Sequence, residues 1–237
     1  MKLKICGDII SNDFKWIYDW LEIDGCCPRD VEKAVEACAD GEPLEVEISS
    51  GGGDVISGSE IYTALRAYKK GDLSITVTGL AASAASVIAM AGRCEMSPTA
   101  LMMIHNTQTR ASGDYRDMEH AAEVLKTANE AIASAYQAKT GMERETLLAM
   151  MDRETWITAE RAVELGFADA IRDGEKGTEP LAAAAGGLTL SSGTIGKLRE
   201  ILRNRTDNGT DAGSSLSANL RRAEADYNFM MLKGAQR

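Results

Sequence analysis

Gly79-Leu80-Ala81-Ala82-Ser83-Ala84-Ala85-Ser86-Val87-Ile88-Ala89-Met90-Ala91-Gly92 decides how the rest of this chain folds. Upstream of it, Leu73-Ser74-Ile75-Thr76-Val77 alternates apolar and polar residues with the period of a half-buried strand. After Gly79 the side chains become small, then apolar up to Gly92. The spacing predicts a strand that turns sharply into a buried helix, with Ser83 on the turn. Small residues at Ala81, Ala82, Ala84 and Ala85 permit a tight bend and leave room beside the hydroxyl. A serine so placed has the following amide and a helix N-terminus directed at the same spot, which is the geometry of a nucleophile elbow. Alternating Ala and Ser also suits an ordinary packed helix, so the run does not establish chemistry by itself.

Working outward, Leu44-Glu45-Val46-Glu47-Ile48 alternates strictly and is predicted to be a strand. It runs into Ser49-Ser50-Gly51-Gly52-Gly53-Asp54. Three glycines after a strand free the backbone to expose amides toward a ligand. A plain flexible turn would read the same way, and a phosphate loop is disfavoured because no Gly-Lys-Ser/Thr follows. On the other side, Ala100-Leu101-Met102-Met103-Ile104 is predicted to be a strand that delivers His105 and to lie beside the Ser83 strand. The second histidine, His120, sits in a charged helix and reads as solvated.

Bulk properties narrow the classes. The 237 residues carry a net charge of −10, and 44% of them are hydrophobic but only 5% aromatic, so small residues must fill the core. Residues 1–173 hold 17 basic and 29 acidic residues. So acidic a body argues against nucleic acid as a partner, since phosphate binding needs a basic surface. The five cysteines (Cys6, Cys26, Cys27, Cys38, Cys94) show no metal-ligand spacing and read as free thiols of a reducing cytoplasm. No apolar run is long enough for a bilayer, so no membrane partner is expected.

In chain order, the pattern predicts a first strand at Leu3–Cys6, a short helix over 13–22 and a helix over about 29–39 opened by Pro28. A helix from Val55 to Tyr68 follows, with Ile56, Ile61, Leu65 and Tyr68 facing inward. An Ala-rich helix over 114–140 is long and thin in bulky residues, which suggests an element that packs on another subunit. A short helix spans Glu143–Met151. Thr158 caps another that stops at Gly166, and a last strand covers 168–171. Strands alternating with helices indicate an α/β domain, at least partly parallel, over residues 1–173. Beyond it, 174–237 reads as a low-complexity linker and partly disordered tail, with short helix candidates at 195–203 and 216–232.

A serine on an elbow, a glycine corner and a histidine leaving an adjacent strand are the parts that serine hydrolysis needs, together with an acid to orient the imidazole. Asp152 and Glu154 are the acids in range. Four ordered stretches then become recognisable: Ile48–Gly53, Gly79–Ala85, Pro98–His105 and Trp156–Asp169. Together they resemble the motifs of the Clp protease proteolytic subunit family, most of all its phage branch, the head maturation (prohead) proteases. The resemblance implies a ClpP/crotonase-like α/β fold, a β-β-α superhelix with a projecting handle helix at 114–140 that interlocks subunits in a homo-oligomeric ring. It implies Ser83 as nucleophile, His105 as general base, and the amides of Gly52 and Ala84 as the oxyanion hole, with no cofactor or metal. The family's aspartate stands two residues before an aromatic, here Trp156, which falls on Glu154. Asp152 has the expected chemistry in another register, and both remain candidates.

The expected activity is a serine endopeptidase acting through an acyl-enzyme, on peptides and proteins such as capsid or scaffold proteins. Family members driven by an ATPase carry residues before the first strand, whereas this strand begins at Leu3. Activity without an ATPase is therefore expected, in the host cytoplasm or prohead interior. Two alternatives stand beside it: a decayed scaffold or assembly ring, and a crotonase-type acyl-CoA enzyme. The Ser83/His105 pair speaks against the latter.

Overall fold

Strands and helices alternate as the pattern requires in the structure, a computed structural model that describes residues 1–172. The linker and helix candidates of 174–237 lie outside the described residues. In chain order the elements are β1 (Lys2–Ile9), α1 (Lys15–Leu21), β2 (Gly25–Cys26), α2 (Pro28–Ala37), β3 (Leu44–Gly53), α3 (Val55–Arg66), β4 (Leu73–Ala82) and α4 (Ala84–Ala89). They continue with β5 (Arg93–Met96), β6 (Leu101–Ile104), α5 (Tyr115–Thr140), α6 (Arg144–Asp152), β7 (Thr155–Thr158), α7 (Ala159–Glu164) and β8 (Ala170–Ile171). Residues 1–107 and 128–172 cluster as one unit, which holds the sheet, and residues 108–127 belong to a second. No helix among the described residues is long and apolar enough to cross a membrane.

The sheet runs β2-β1-β3-β4-β5-β8, and every pairing along that path is parallel. Parallel strands need cover on both faces, and the central pair shows it: Val46, Ile48, Ile75 and Val77 are all buried. Each such side chain contributes about 1.5–3 kcal/mol by leaving water.

What positions the site is a change of partner along β4. Its first half pairs with β5 (Ser74↔Arg93 to Val77↔Met96), and its last residues pair in parallel with β6 (Leu80↔Leu101 to Ala82↔Met103). The expectation that the His105 strand neighbours the Ser83 strand is met here. On its other side β6 pairs antiparallel with β7, from Leu101↔Thr158 to Ile104↔Thr155.

Three local readings need correction. Ile56 is 65% exposed rather than facing inward. The buried face of α3 follows Ser57, Gly58, Ile61 and Leu65, and Ile56 lies about 140° round the helix from Ile61. Residues 93–96 and 155–158 are strands that the pattern did not announce. Each is only four residues long, too short for alternation to stand out. Thr158 does cap α7, its side chain accepting from the Arg161 N–H.

Candidate active site

Ser83 is the hinge between β4 and α4, and its backbone is strained, with φ 54° and ψ −125°. A positive φ costs a residue with a Cβ about 1–2 kcal/mol. The conformation persists because its neighbours hold it. The Ser83 N–H donates to the Met103 carbonyl across to β6 (2.9 Å). The Ser83 carbonyl accepts from the Ser86 N–H (3.0 Å) and from the Ser86 hydroxyl (2.6 Å).

The Ser86 proton is thereby committed, so in the 2.8 Å contact between Ser86 Oγ and Tyr136 the phenol must donate. Tyr136 is buried, which pushes its phenol well above the ordinary value and keeps it a donor. Its ring meets Phe167 edge-on, with centroids 5.8 Å apart. A relay Tyr136–Ser86–Ser83 thus braces the elbow from α5. Sequence reasoning missed this brace. Its signal was a serine three residues after the nucleophile and a lone aromatic in the Ala-rich end of a long helix.

His105 follows the last residue of β6, and its Nε2 lies 2.7 Å from Ser83 Oγ. Both residues are half-buried. At that distance the imidazole can take the hydroxyl proton directly.

The glycine corner at the end of β3 packs against the elbow. Gly52 has φ +95°, and a Cβ there would lie 2.6 Å from the Ala82 carbonyl oxygen, 2.7 Å from the Ser83 Cβ and 3.0 Å from the Ala84 nitrogen. No side chain fits, so glycine is required for this approach. Ala84 is the first residue of α4. The Gly52 N–H is already engaged: it donates to Ser50 Oγ (3.1 Å), whose proton goes to the Gly7 carbonyl (2.6 Å). A ligand oxygen at this corner therefore competes with Ser50 for that amide.

The structure separates the two carboxylates. Asp152, the last residue of α6, accepts from Asn106 Nδ2 (2.8 Å). Glu154 accepts at Oε1 from the Trp156 indole N–H (3.2 Å). Neither hydrogen-bonds the imidazole among the described residues. The β6–β7 register nonetheless distinguishes them. The ladder ends with Ile104 opposite Thr155; His105 directly follows the one and Glu154 directly precedes the other, with Asp152 two residues further back. No cluster of three or more His, Cys, Asp or Glu able to hold a metal occurs among the described residues.

Fold and elbow together define a class: parallel α/β proteins that present a serine on a strand-to-helix turn beneath an imidazole. A family model described as Clp protease matches residues 33–175. The chain is 34% identical over 137 residues to the ATP-dependent Clp protease proteolytic subunit 1 of Chlamydia abortus, covering 55% of this chain and 70% of that protein. It is 36% identical over 137 residues to the Chlamydia trachomatis protein of the same name, with the same coverage. Among solved structures, a ClpP1 point mutant from Listeria monocytogenes superposes with a TM-score of 0.59 at 21% identity, covering 73% of this chain and 92% of that one. This chain belongs to the Clp protease family and has its α/β fold; it is a peptidase homologue.

Proposed function

We propose that the protein is a serine endopeptidase in which Ser83 is the nucleophile and His105 the general base. The observation that carries this reading is the 2.7 Å contact between Ser83 Oγ and His105 Nε2 on a strained elbow. Ser83 Oγ attacks the peptide carbonyl carbon while its proton passes to Nε2. The resulting oxyanion is stabilised by the Ala84 N–H and, as Ser50 yields it, the Gly52 N–H. Collapse expels the amine, which takes the proton from the imidazole, and leaves an acyl-ester on Ser83. Water, activated by the same imidazole, then hydrolyses the ester. Glu154 is the acid we assign to orient His105, on the strength of the β6–β7 register.

A fluorophosphonate probe tests the assignment. It should label the wild type on Ser83 and leave Ser83→Ala and His105→Ala unlabelled. A folded wild type that resists the probe would sink the reading and favour a decayed assembly ring.

The substrate class we propose is capsid or scaffold protein, cleaved by a homo-oligomeric ring without an ATPase in the host cytoplasm or prohead interior. The support is the motif resemblance to head maturation proteases. Incubation with such substrates in the absence of ATP should give fragments with wild type and none with Ser83→Ala. Cleavage that appears only when a hexameric unfoldase and ATP are supplied overturns the ATPase-free part.

A further inference from the structure

We infer that Trp156 is a positioning residue of the catalytic apparatus: its indole N–H clamps Glu154 so that the second carboxylate oxygen is presented to His105. The inference rests on the serine-peptidase reading above. It begins from the register of the β6–β7 ladder, in which Trp156 lies opposite Met103. His105 follows Met103 by two residues, and Glu154 precedes Trp156 by two. Glu154 stands in the turn just before β7 and Trp156 in β7 itself, so both lie on the flank of β6 that β7 covers.

On that side the contact is made. Trp156 Nε1 donates to Glu154 Oε1 at 3.2 Å. A carboxylate has two oxygens and about four acceptor positions, so an indole on Oε1 leaves Oε2 available for the imidazole Nδ1–H. Glutamate has one rotatable bond more than aspartate and loses more freedom when fixed. A donor from two residues away removes part of that freedom before the imidazole is engaged. Only tryptophan among the large aromatics has an N–H to do this; phenylalanine offers the same bulk and no donor.

The backbone of Glu154 supports the assignment. It has φ +50°, one of three non-glycine residues with positive φ among the described residues; Ser83 is another. The position closes α6, with its N–H bonded to the Met151 carbonyl, and glycine would be the unstrained choice there. A carboxylate stands there at a backbone cost, within hydrogen-bond distance of the Trp156 indole. Asp152 accepts from Asn106 at Oδ1, which leaves its other oxygen open in the same way, and the Asp152→Asn comparison below separates the two acids.

The test is a double-mutant cycle on fluorophosphonate labelling and on peptide hydrolysis, with Trp156→Phe, Glu154→Gln and the pair. Trp156→Phe should lower kcat about three- to tenfold with KM unchanged, as expected for one solvent-exposed hydrogen bond. In the Glu154→Gln background the same substitution should do little. Asp152→Asn serves as the comparison and should change kcat by less than about threefold. In protein labelled with 15N-tryptophan, the Trp156 indole resonance should move on Glu154→Gln with the far-ultraviolet spectrum preserved.

If Trp156→Phe matches wild type, or costs as much in the Glu154→Gln background as with Glu154 in place, the clamp is wrong while the peptidase stands. If wild type itself neither labels nor cleaves, the peptidase reading is what has failed.

Discussion

Ser83 combines two roles that pull against each other, since its hydroxyl faces His105 and its backbone sits at φ 54°. Glycine tolerates that backbone without strain, whereas alanine does not. Ser83→Gly should therefore be more stable than Ser83→Ala by about 1 kcal/mol, both being inactive. Urea denaturation of the two variants checks this, and equal midpoints would mean that the elbow stores no strain. Gly52 sets the opposite constraint: a methyl group there would strike the elbow's own backbone, 2.6 Å from the Ala82 carbonyl oxygen.

The elements around the site act as braces, and two can be weighed. Tyr136→Phe removes the donor that holds Ser86 but keeps the ring against Phe167. It should cost about 1 kcal/mol of stability and lower kcat more than KM, read by thermal melts and peptide hydrolysis. Asp169 joins the end of the chain's sheet to α5: it accepts from the Cys94 N–H (2.7 Å) and from Lys139, which also donates to the Gly92 carbonyl (2.9 Å). Burial pushes the Asp169 carboxyl up, but the Lys139 ammonium and the Cys94 amide pull it down further, and the net value lies below the ordinary one. A carboxyl depressed by folding contributes stability above its unfolded value of about 3.9 and loses it as pH falls through the folded value. Asp169→Asn should thus cost about 1 kcal/mol at neutral pH, the solvent-facing side keeping it small, and the gap to wild type should close below about pH 4.

How far these braces could be read from the chain depends on their range. The Ser83 turn, the glycine corner and the Thr158 cap are local, written in adjacent residues, and were legible. So was the strand carrying His105. The four-residue β5 and β7 were not, since so few positions cannot display a period, and neither was the outward turn of Ile56. The choice between Asp152 and Glu154 depends on how β7 registers with β6, a pairing across some fifty residues of chain that no local pattern specifies.

Among the described residues, the buried apolar side chains concentrate in the centre of the sheet and the candidate site lies at the ends of the strands. Ile48→Ala, in β3 at 0% exposure, should cost about 2–5 kcal/mol in urea denaturation and reduce soluble yield. Apolar residues left uncovered on α5, with Met118 38% and Val124 53% exposed, fit a surface that meets another subunit. Native mass spectrometry should accordingly report a closed homo-oligomer, and a concentration-independent monomer would contradict that expectation.

The ladder between β6 and β7 carries a consequence for how the molecule comes into being. Its last pair joins Leu101 to Thr158, so β6 has no neighbour on that side until the ribosome has translated the second of them. The serine and the imidazole leave the exit tunnel early, yet Glu154 and Trp156 arrive only with the following strand. On the proposed assignment, a nascent chain therefore carries Ser83 and His105 for some fifty residues of synthesis before the acid that orients the imidazole has been made.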